Sequence, residues 1–353
     1  MRGPSSDRRF LGRCSCCGGL VSSPATMIDE EAAFRRRLID VHHHVVPPFY
    51  LEENRERLAV GGTISRPWLD WTPQQSIEAM DEHGVETAMI SLSTPGVWFG
   101  DKEEARRTSR RVNEYCTQLS HQYPRRFGLF GAIPLPDTEG SLREIAYALD
   151  VLKADGIGVL SSYDDKWLGD PSYQPVLEEL NRRKAVVFVH PTVPNCCQTL
   201  ISGISSLMAE AIQDTTRTVI SLLFSGTLTR FRDIRFIFSH AGGSVPVVAA
   251  RMTLYGPKNL KETLPDGVDH ELKRLYYDIA VSGHRPAIAA LTSFVPMSQI
   301  LFGSDFPYRG LDETSETLTQ LGLSVEDIQA LGRDNALALF PRLSVVRDVG
   351  SIA

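Results

Sequence analysis

Three consecutive histidines end an apolar stretch in the segment LIDVHHHVVPP, residues 38–48. In an extended strand, alternate side chains point to the same side. His42 and His44 therefore share one side with Asp40, and His43 points to the other side. Imidazole nitrogens and carboxylate oxygens are common ligands of divalent metals. The D-x-H-x-H spacing therefore predicts that His42 and His44 are two ligands of a metal site.

Single polar residues end three later apolar stretches: His190 in VVFVHP, His240 in FIFSHAGG and Asp305 in LFGSDFP. Burying an unpaired imidazole or carboxylate there is costly, so packing alone does not explain them. A divalent ion explains four of the residues together, with His42, His44, His190 and Asp305 as its ligands. Three nitrogens and one oxygen suit zinc or a similar ion. His240 is then left as a catalytic group near the metal.

The elements that must position these side chains are eight apolar, β-branched-rich stretches, at residues 37–44, 85–94, 127–135, 156–162, 185–191, 234–242, 275–281 and 300–308. Continuous apolar stretches are typical of a parallel sheet that is buried on both faces. Helical patterns between them predict the α/β class and a (β/α)8 TIM barrel. The alternative is an open doubly wound sheet, which favours a glycine-rich turn after its first strand. HHHVVPPFY stands there instead.

Amphipathic helices are predicted at 72–84, 102–124, 141–156, 172–184, 209–226 and 324–341. In the third of these, Ser141 is the expected cap and Glu144 completes a capping box. Two longer segments, 45–71 and 192–208, follow the first and fifth strands. We expect 45–71 to be a small insertion in the barrel. Both segments occupy places where such barrels carry catalytic loops.

The active sites of these barrels lie at the carboxyl ends of the strands, so the polar residues above should converge at one mouth. Ligands from strands one, five and eight leave an open side, which is typical of a catalytic metal site. His284, after the seventh strand, is a weaker candidate for the mouth, and Asp278 is a candidate supporting residue. Trp98, together with Trp68, Trp71 and Phe99, suits either an aromatic ring wall or ordinary loop packing.

Composition bounds the class of protein. The chain has 353 residues, 42% of them hydrophobic, and a net charge of −6. The acidic balance argues against binding to nucleic acid or an anionic membrane, and no apolar run is long enough to span a bilayer. The six cysteines fit neither a zinc ribbon nor a disulfide scaffold, so we expect reduced thiols and a cytoplasmic protein.

The domain signal covers only part of the chain. We expect residues 1–30 to form a disordered extension, 37–342 to form the metal-dependent barrel and 343–353 to form a tail.

D-x-H-x-H, VHP, SHAGG and GSDFP in this order resemble the amidohydrolase superfamily. More narrowly, the chain resembles the branch of aminocarboxymuconate semialdehyde decarboxylase and the hydroxybenzoate decarboxylases, over roughly residues 37–342. The runs SHAGGSVPVVAARM and DNALALF are also typical of that branch. Within it, the chain is most similar to fungal 6-methylsalicylate decarboxylases.

The resemblance implies a non-oxidative decarboxylase of a small aromatic carboxylate, dependent on Zn²⁺ with Mn²⁺ possible. The best candidate reaction converts 6-methylsalicylate to 3-methylphenol and CO2. The resemblance assigns the metal to His42, His44, His190 and Asp305, and catalysis to Asp305 and His240. By analogy, Asp305 is favoured as the group that protonates the ring carbon.

The resemblance also bears on the substrate and on assembly. Arg251 matches an arginine that reaches the substrate carboxylate across a dimer interface, which implies a homodimer or higher homo-oligomer. A second substrate arginine of the semialdehyde enzyme falls near Ser76 here, which favours a monocarboxylate over a dicarboxylate. No strand end presents a lysine, so a carboxylated lysine is not expected.

Two alternatives stay open at the level of sequence. A hydrolase on the same scaffold would use the metal to activate water and cut an amide or a lactone. A non-catalytic barrel would use the same ligands only for binding or assembly.

Overall fold

The structure is a computed structural model that describes residues 37–344, apart from 61–65, 199 and 202. The extension predicted at 1–30 and most of the tail predicted at 343–353 lie outside the described residues. Eight parallel strands pair in chain order. They are β1 (Leu38–Val45), β2 (Val85–Leu92), β3 (Phe127–Ala132), β4 (Gly156–Leu160), β5 (Val186–His190), β6 (Arg235–Phe238), β7 (Tyr276–Asp278) and β8 (Ile300–Leu301).

The first strand closes onto the last. The Val41 N–H donates to the Phe302 carbonyl at 3.0 Å, and the Asp305 N–H donates to the His42 carbonyl at 2.8 Å. These bonds join β1 to the segment that follows β8, so the sheet forms a barrel. The predicted (β/α)8 architecture is confirmed.

Helices connect the strands and cover the barrel. They are α1 (Pro48–Val60), α2 (Arg66–Leu69), α3 (Pro73–Glu82), α4 (Lys102–Gln122), α5 (Thr138–Ala146), α6 (Gln174–Arg182), α7 (Glu210–Phe224), α8 (Thr227–Arg230), α9 (Val245–Leu254), α10 (Leu260–Thr263), α11 (Val268–Leu272), α12 (Arg285–Phe294), α13 (Leu311–Ser315), α14 (Val325–Gln329) and α15 (Asn335–Leu339). Among the described residues, no helix is long and apolar enough to cross a membrane.

The interior of the barrel is a packed apolar layer. Phe130 and Phe188 stack with ring centroids 5.1 Å apart, and Phe340 closes the same cluster from the C-terminal segment. The His42 ring lies 5.0 Å from that of Phe188. The apolar layer therefore forms a dry floor under the histidines at the barrel mouth.

The insertion at 45–71 contains the helices α1 and α2, and it buries its tryptophans. Trp68 is 2% exposed and Trp71 is 6% exposed. The indole Nε1 of Trp71 donates to Ser76 Oγ at 3.0 Å. These two residues pack the core and do not form an aromatic ring wall.

The expected capping box at Ser141 is wrong. Helix α5 already begins at Thr138, with Asp137 as its N-cap, and the Ser141 N–H donates to the Asp137 carbonyl at 2.9 Å. Glu144 instead accepts from Asn113 Nδ2 at 2.8 Å. Tertiary contacts outweigh the local capping signal here, because the Glu144 carboxylate joins neighbouring helices.

Candidate metal centre and active site

Four of the predicted residues meet at the barrel mouth. His42, His44, His190 and Asp305 are buried, and one ligand atom from each lies within 4.8 Å of the others. The Nε2 atoms of His42 and His44 are 3.1 Å apart. Asp305 Oδ1 lies 3.3 Å from the first and 3.1 Å from the second. Two ligands of a tetrahedral ion with bonds of about 2.1 Å lie about 3.4 Å apart, so this spacing fits a metal.

The Nδ1 atoms of the three histidines fix their tautomers. His42 Nδ1 faces Asp278 Oδ2 at 2.9 Å and His190 Nδ1 faces the Pro191 carbonyl at 2.9 Å, and both oxygens can only accept. His44 Nδ1 faces the Ser91 carbonyl at 3.3 Å and the Ser91 hydroxyl at 3.2 Å, and the hydroxyl can donate or accept. A proton on each Nδ1 satisfies all of these contacts, and the Nε2 atoms are then left to bind a metal. The buried Nε2 of His190 has no hydrogen-bond partner among the described residues.

Electrostatics also favour a cation at this point. Burial lowers the pKa of His190 well below its ordinary value, and burial lowers the pKa of His44 as well. Burial also opposes the charged form of His42, but the carboxylates of Asp278 and Asp305 outweigh it and raise its pKa to about 10. Burial would raise the pKa of Asp305, yet the neighbouring imidazoles hold it well below its usual range. Three buried imidazoles and a carboxylate converging in a dry site suit a divalent ion, which would take the place of the Nε2 proton of His42.

Asp40 does not join this cluster, although simple alternation predicts that it should. The pairing of β1 with β2 shifts register between Asp40 and His43. Asp40 Oδ2 then faces His43 Nδ1 at 3.0 Å, and Asp40 Oδ1 accepts from the Ser304 N–H at 3.0 Å. The other nitrogen of His43, Nε2, pairs with Ser76 Oγ at 2.9 Å. Both nitrogens of His43 are thus satisfied by protein groups.

His240 lies beside the cluster on the turn after β6. Its ring centroid is 4.9 Å from that of His42, and its Nδ1 faces the Ala280 carbonyl at 2.9 Å. In that tautomer its Nε2 carries a lone pair and can accept a hydrogen bond. The backbone at His240 is left-handed with φ of 54°, and Asp305 has φ of 69°. Such conformations cost about 1–3 kcal/mol each and concentrate at functional sites.

Asp278 supports two site residues at once. Its Oδ2 accepts from His42 Nδ1, and its Oδ1 accepts from the His240 backbone N–H at 3.0 Å. Sequence reasoning marked Asp278 only as a candidate support. The contact with His240 was missed, because it depends on how the turn after β6 crosses to β7.

Sequence reasoning also missed two buried hydroxyls near the site. The ring of Tyr308 lies 5.6 Å from that of His44, and burial raises the pKa of the phenol, which keeps it protonated. The Ser93 hydroxyl faces the Tyr308 phenol. Neither hydroxyl has a further hydrogen-bond partner among the described residues. The only available signal was the position of Tyr308, three residues after Asp305.

A cavity of about 400 Å³ opens between the loops that follow β2, β4 and β5. Thr192 lines it two residues after His190, and the lining residue Leu160 pairs with His190 in the sheet, so one side of the cavity borders the strand end that carries His190. Trp98 and Phe99 line the same cavity. Contact of Trp98 with substrate stays a prediction, since no ligand tests it.

Two predicted substrate residues do not reach the cluster within one chain. Arg251 is exposed on α9, and its guanidinium lies 4.9 Å from the Tyr255 ring centroid. His284 is exposed at the start of α12, where its side chain accepts from the Ala287 N–H at 3.5 Å. The capping bond places the His284 imidazole at the helix terminus, and its contact with substrate stays a prediction.

Comparison with known proteins places the chain in a family. The amidohydrolase profile matches residues 39–342. The decarboxylase yanB of Aspergillus niger is 35% identical over 88% of this chain and 89% of its own length. The 6-methylsalicylic acid decarboxylase acuB of Aspergillus aculeatus is 34% identical over 84% of this chain and 94% of its own length.

A solved structure shows the same fold. The dihydroxybenzoic acid decarboxylase of Polaromonas sp. JS666, with bound manganese and the inhibitor 2-nitroresorcinol, superimposes with a TM-score of 0.77. The match covers 90% of this chain and all of the other chain, at 20% identity. The predicted resemblance is confirmed, and the chain belongs to the amidohydrolase family.

Proposed function

We propose that this protein is a metal-dependent, non-oxidative decarboxylase of a hydroxybenzoate-type acid. The best candidate reaction is 6-methylsalicylate to 3-methylphenol and CO2. The convergence of three Nε2 lone pairs on the Asp305 carboxylate carries the proposal. Relatives named as decarboxylases over most of the chain support the choice of reaction.

We assign the metal to His42, His44, His190 and Asp305, with zinc as the first choice and manganese as the second. Three nitrogens with one carboxylate are a usual donor set for zinc. The bound ion would supply positive charge beside the substrate oxygens and stabilise the negative charge that develops during reaction.

The chain itself must deliver a proton to the ring carbon that bears the carboxylate. The low pKa of Asp305 means that it is ionised before substrate arrives. We propose that Asp305 takes the phenolic proton of the substrate and passes it to that carbon, while His240 hydrogen-bonds beside it. The bond between the carbon and the carboxylate then breaks, its electron pair returns to the ring, and CO2 leaves. The phenolate product regains its proton from water.

A monocarboxylate substrate is proposed because a serine, Ser76, falls near the place of the semialdehyde enzyme's second substrate arginine. Ser76 is buried and bonded to His43 and Trp71. A neutral hydroxyl that is already paired provides no cation for a second carboxylate.

CO2 release from the metal-loaded protein tests this function. Salicylate, 6-methylsalicylate, 2,3-dihydroxybenzoate and 2,6-dihydroxybenzoate are assayed with wild type, Asp305→Asn and His240→Ala. His121→Ala, on the exposed end of α4, is the matched control. We expect release from at least one acid, loss in the first two variants and no loss in the control. Metal-bound protein that releases no CO2 but cleaves a lactone or an amide would establish the hydrolase instead.

We further propose that Arg251 serves the site of a second copy of the chain. The exposed face of α9 carries Val247, Leu254 and Tyr255, which are 75%, 74% and 71% exposed. Apolar side chains this exposed are typical of an association surface. If Arg251 acts across the interface, mixing equal amounts of Arg251→Ala and His190→Ala should restore activity. About half of the dimers are then mixed, and one of the two sites in each mixed dimer is intact, so about a quarter of the wild-type activity is expected. If mixed dimers form from the two inactive variants and release no CO2, this role of Arg251 is contradicted.

A further inference from the structure

We propose that the cavity beside the metal cluster binds an apolar substituent on the aromatic ring. The substrate class then extends from 6-methylsalicylate to hydroxybenzoates with a longer alkyl or alkenyl side chain. This inference rests on the proposed decarboxylase function and names the substrate class of that site.

Most of the polar groups that line the cavity are paired with protein groups, and the Ser206 hydroxyl is an exception among the described residues. The pairs are Thr94 Oγ1 with Thr192 Oγ1 at 3.0 Å, Trp98 Nε1 with Asp164 Oδ2 at 2.9 Å, Gln198 Nε2 with Asn195 Oδ1 at 3.1 Å, Ser162 Oγ with Asp214 Oδ2 at 2.9 Å, and the Leu160 N–H with the Tyr163 hydroxyl at 2.8 Å. A polar ligand group would have to compete with these bonds. The lining is therefore not arranged for a strongly polar substituent.

The charged residues of the lining offer no unpaired positive charge to a ligand. Arg57 pairs with Glu104 and lies over the Phe99 ring, 4.7 Å from its centroid. The other charged lining residues are Asp164 and Asp165. A substituent that carries a second carboxylate would meet two aspartates and an arginine that already has a partner. An acidic side chain is disfavoured on this ground.

Apart from Ser206, the groups left to contact a ligand are apolar. They are the side chains of Pro95, Phe99, Leu160, Val193, Pro194 and Leu207. A volume of about 400 Å³ exceeds what a methyl group needs, and cavities of this size hold drug-sized ligands. The lining includes none of the four cluster residues. Leu160 in this lining is the sheet partner of His190, so we place the carboxylate and phenol at the cluster and the rest of the molecule in this volume.

A series of ring-alkylated salicylates tests the inference. Methyl, propyl and pentyl groups are placed at position 6 in one series and at position 4 in another. We measure kcat/KM for CO2 release and, separately, Kd by calorimetry on metal-loaded protein. Burial of each added methylene should raise affinity roughly threefold, so pentyl should exceed methyl by roughly ten- to a hundred-fold in at least one series.

Two filling variants locate the effect. Val193→Trp and Leu207→Trp place an indole in the cavity, and they should bring the pentyl-to-methyl ratio close to one. Leu207 is exposed, so its replacement leaves the core intact if Val193→Trp fails to fold. Val151→Trp adds the same indole at a position that is 61% exposed and outside the cavity, and it should keep the wild-type ratio.

The outcomes separate the inference from the proposed function. A preference for pentyl in Kd without CO2 release from any acid would refute the decarboxylase and support the apolar ligand. CO2 release with equal Kd and equal kcat/KM for methyl and pentyl in both series would overturn the inference and leave the decarboxylase standing. A pentyl preference that persists in both filling variants would also overturn it.

Discussion

The buried histidines of strand β1 form two groups on opposite sides of the strand, one with His42 and His44 and the other with His43 alone. On one side, His42 and His44 turn their Nε2 atoms toward each other and toward Asp305. On the other side, His43 places one nitrogen on Asp40 and the other on Ser76. Both groups combine buried imidazole with buried carboxylate. Only the first leaves lone pairs facing one another, so unmatched acceptors, not residue type or burial, distinguish a metal site from a structural one.

The two groups should therefore respond differently to substitution. Removing a ligand from the first should remove the ion and the chemistry that depends on it. Removing His43 should leave Asp40 buried with fewer partners and should weaken the fold.

The largest difference is expected between His190→Ala and His43→Ala. His190→Ala should lower kcat/KM for CO2 release at least about 1,000-fold, because charge stabilisation by a bound ion contributes several kcal/mol. His43→Ala should keep bound metal and stay within about tenfold of wild type, because both its nitrogens contact protein groups. Metal content by plasma emission spectrometry and CO2 release measure both. Equal loss of metal in the two variants would remove the distinction between the groups.

An intermediate effect is expected at Asp278. In Asp278→Asn, the single amide oxygen can accept from either His42 Nδ1 or the His240 backbone N–H but not from both, and the amide NH2 faces the other donor, so the support of His42 is weakened. Metal affinity should fall by about 10- to 100-fold, the usual range for such supporting residues. Competition with a chelator of known affinity measures the change. Unchanged affinity would show that His42 needs no support to present its Nε2.

The smallest effect on activity, and the clearest on stability, is expected at His43. His43→Ala leaves the Asp40 carboxylate without its imidazole partner in a fully buried position. The free energy of unfolding should fall by about 2–4 kcal/mol. Urea denaturation of protein saturated with metal measures the change. An unfolding free energy equal to that of wild type would show that the pair contributes nothing.

The fold and the four cluster residues could be predicted from sequence for one physical reason. Carboxyl ends of parallel strands meet at one mouth of a barrel, so a polar residue that ends an apolar run is placed without knowledge of tertiary contacts. His190 and Asp305 are examples. Their exact role as ligands stays a proposal, whereas their meeting point is a feature of the structure.

Other features depend on contacts that no local pattern contains. A register shift in β1 removes Asp40 from the cluster. The position of His284 at a helix start and the burial of Trp68 follow from how segments pack together. The paired polar lining of the cavity, such as Thr94 with Thr192, joins residues far apart in sequence.

Titration of metal-free protein with Zn²⁺, and in parallel with Mn²⁺, tests the central claim most directly. CO2 release from 6-methylsalicylate is followed against the number of ions added per chain, with His190→Ala beside wild type. We expect no release without metal, a linear rise that ends at one ion per chain, and no rise in the variant. Release from metal-free protein, or equal release from wild type and His190→Ala at saturation, would contradict a reaction that depends on an ion held by this cluster.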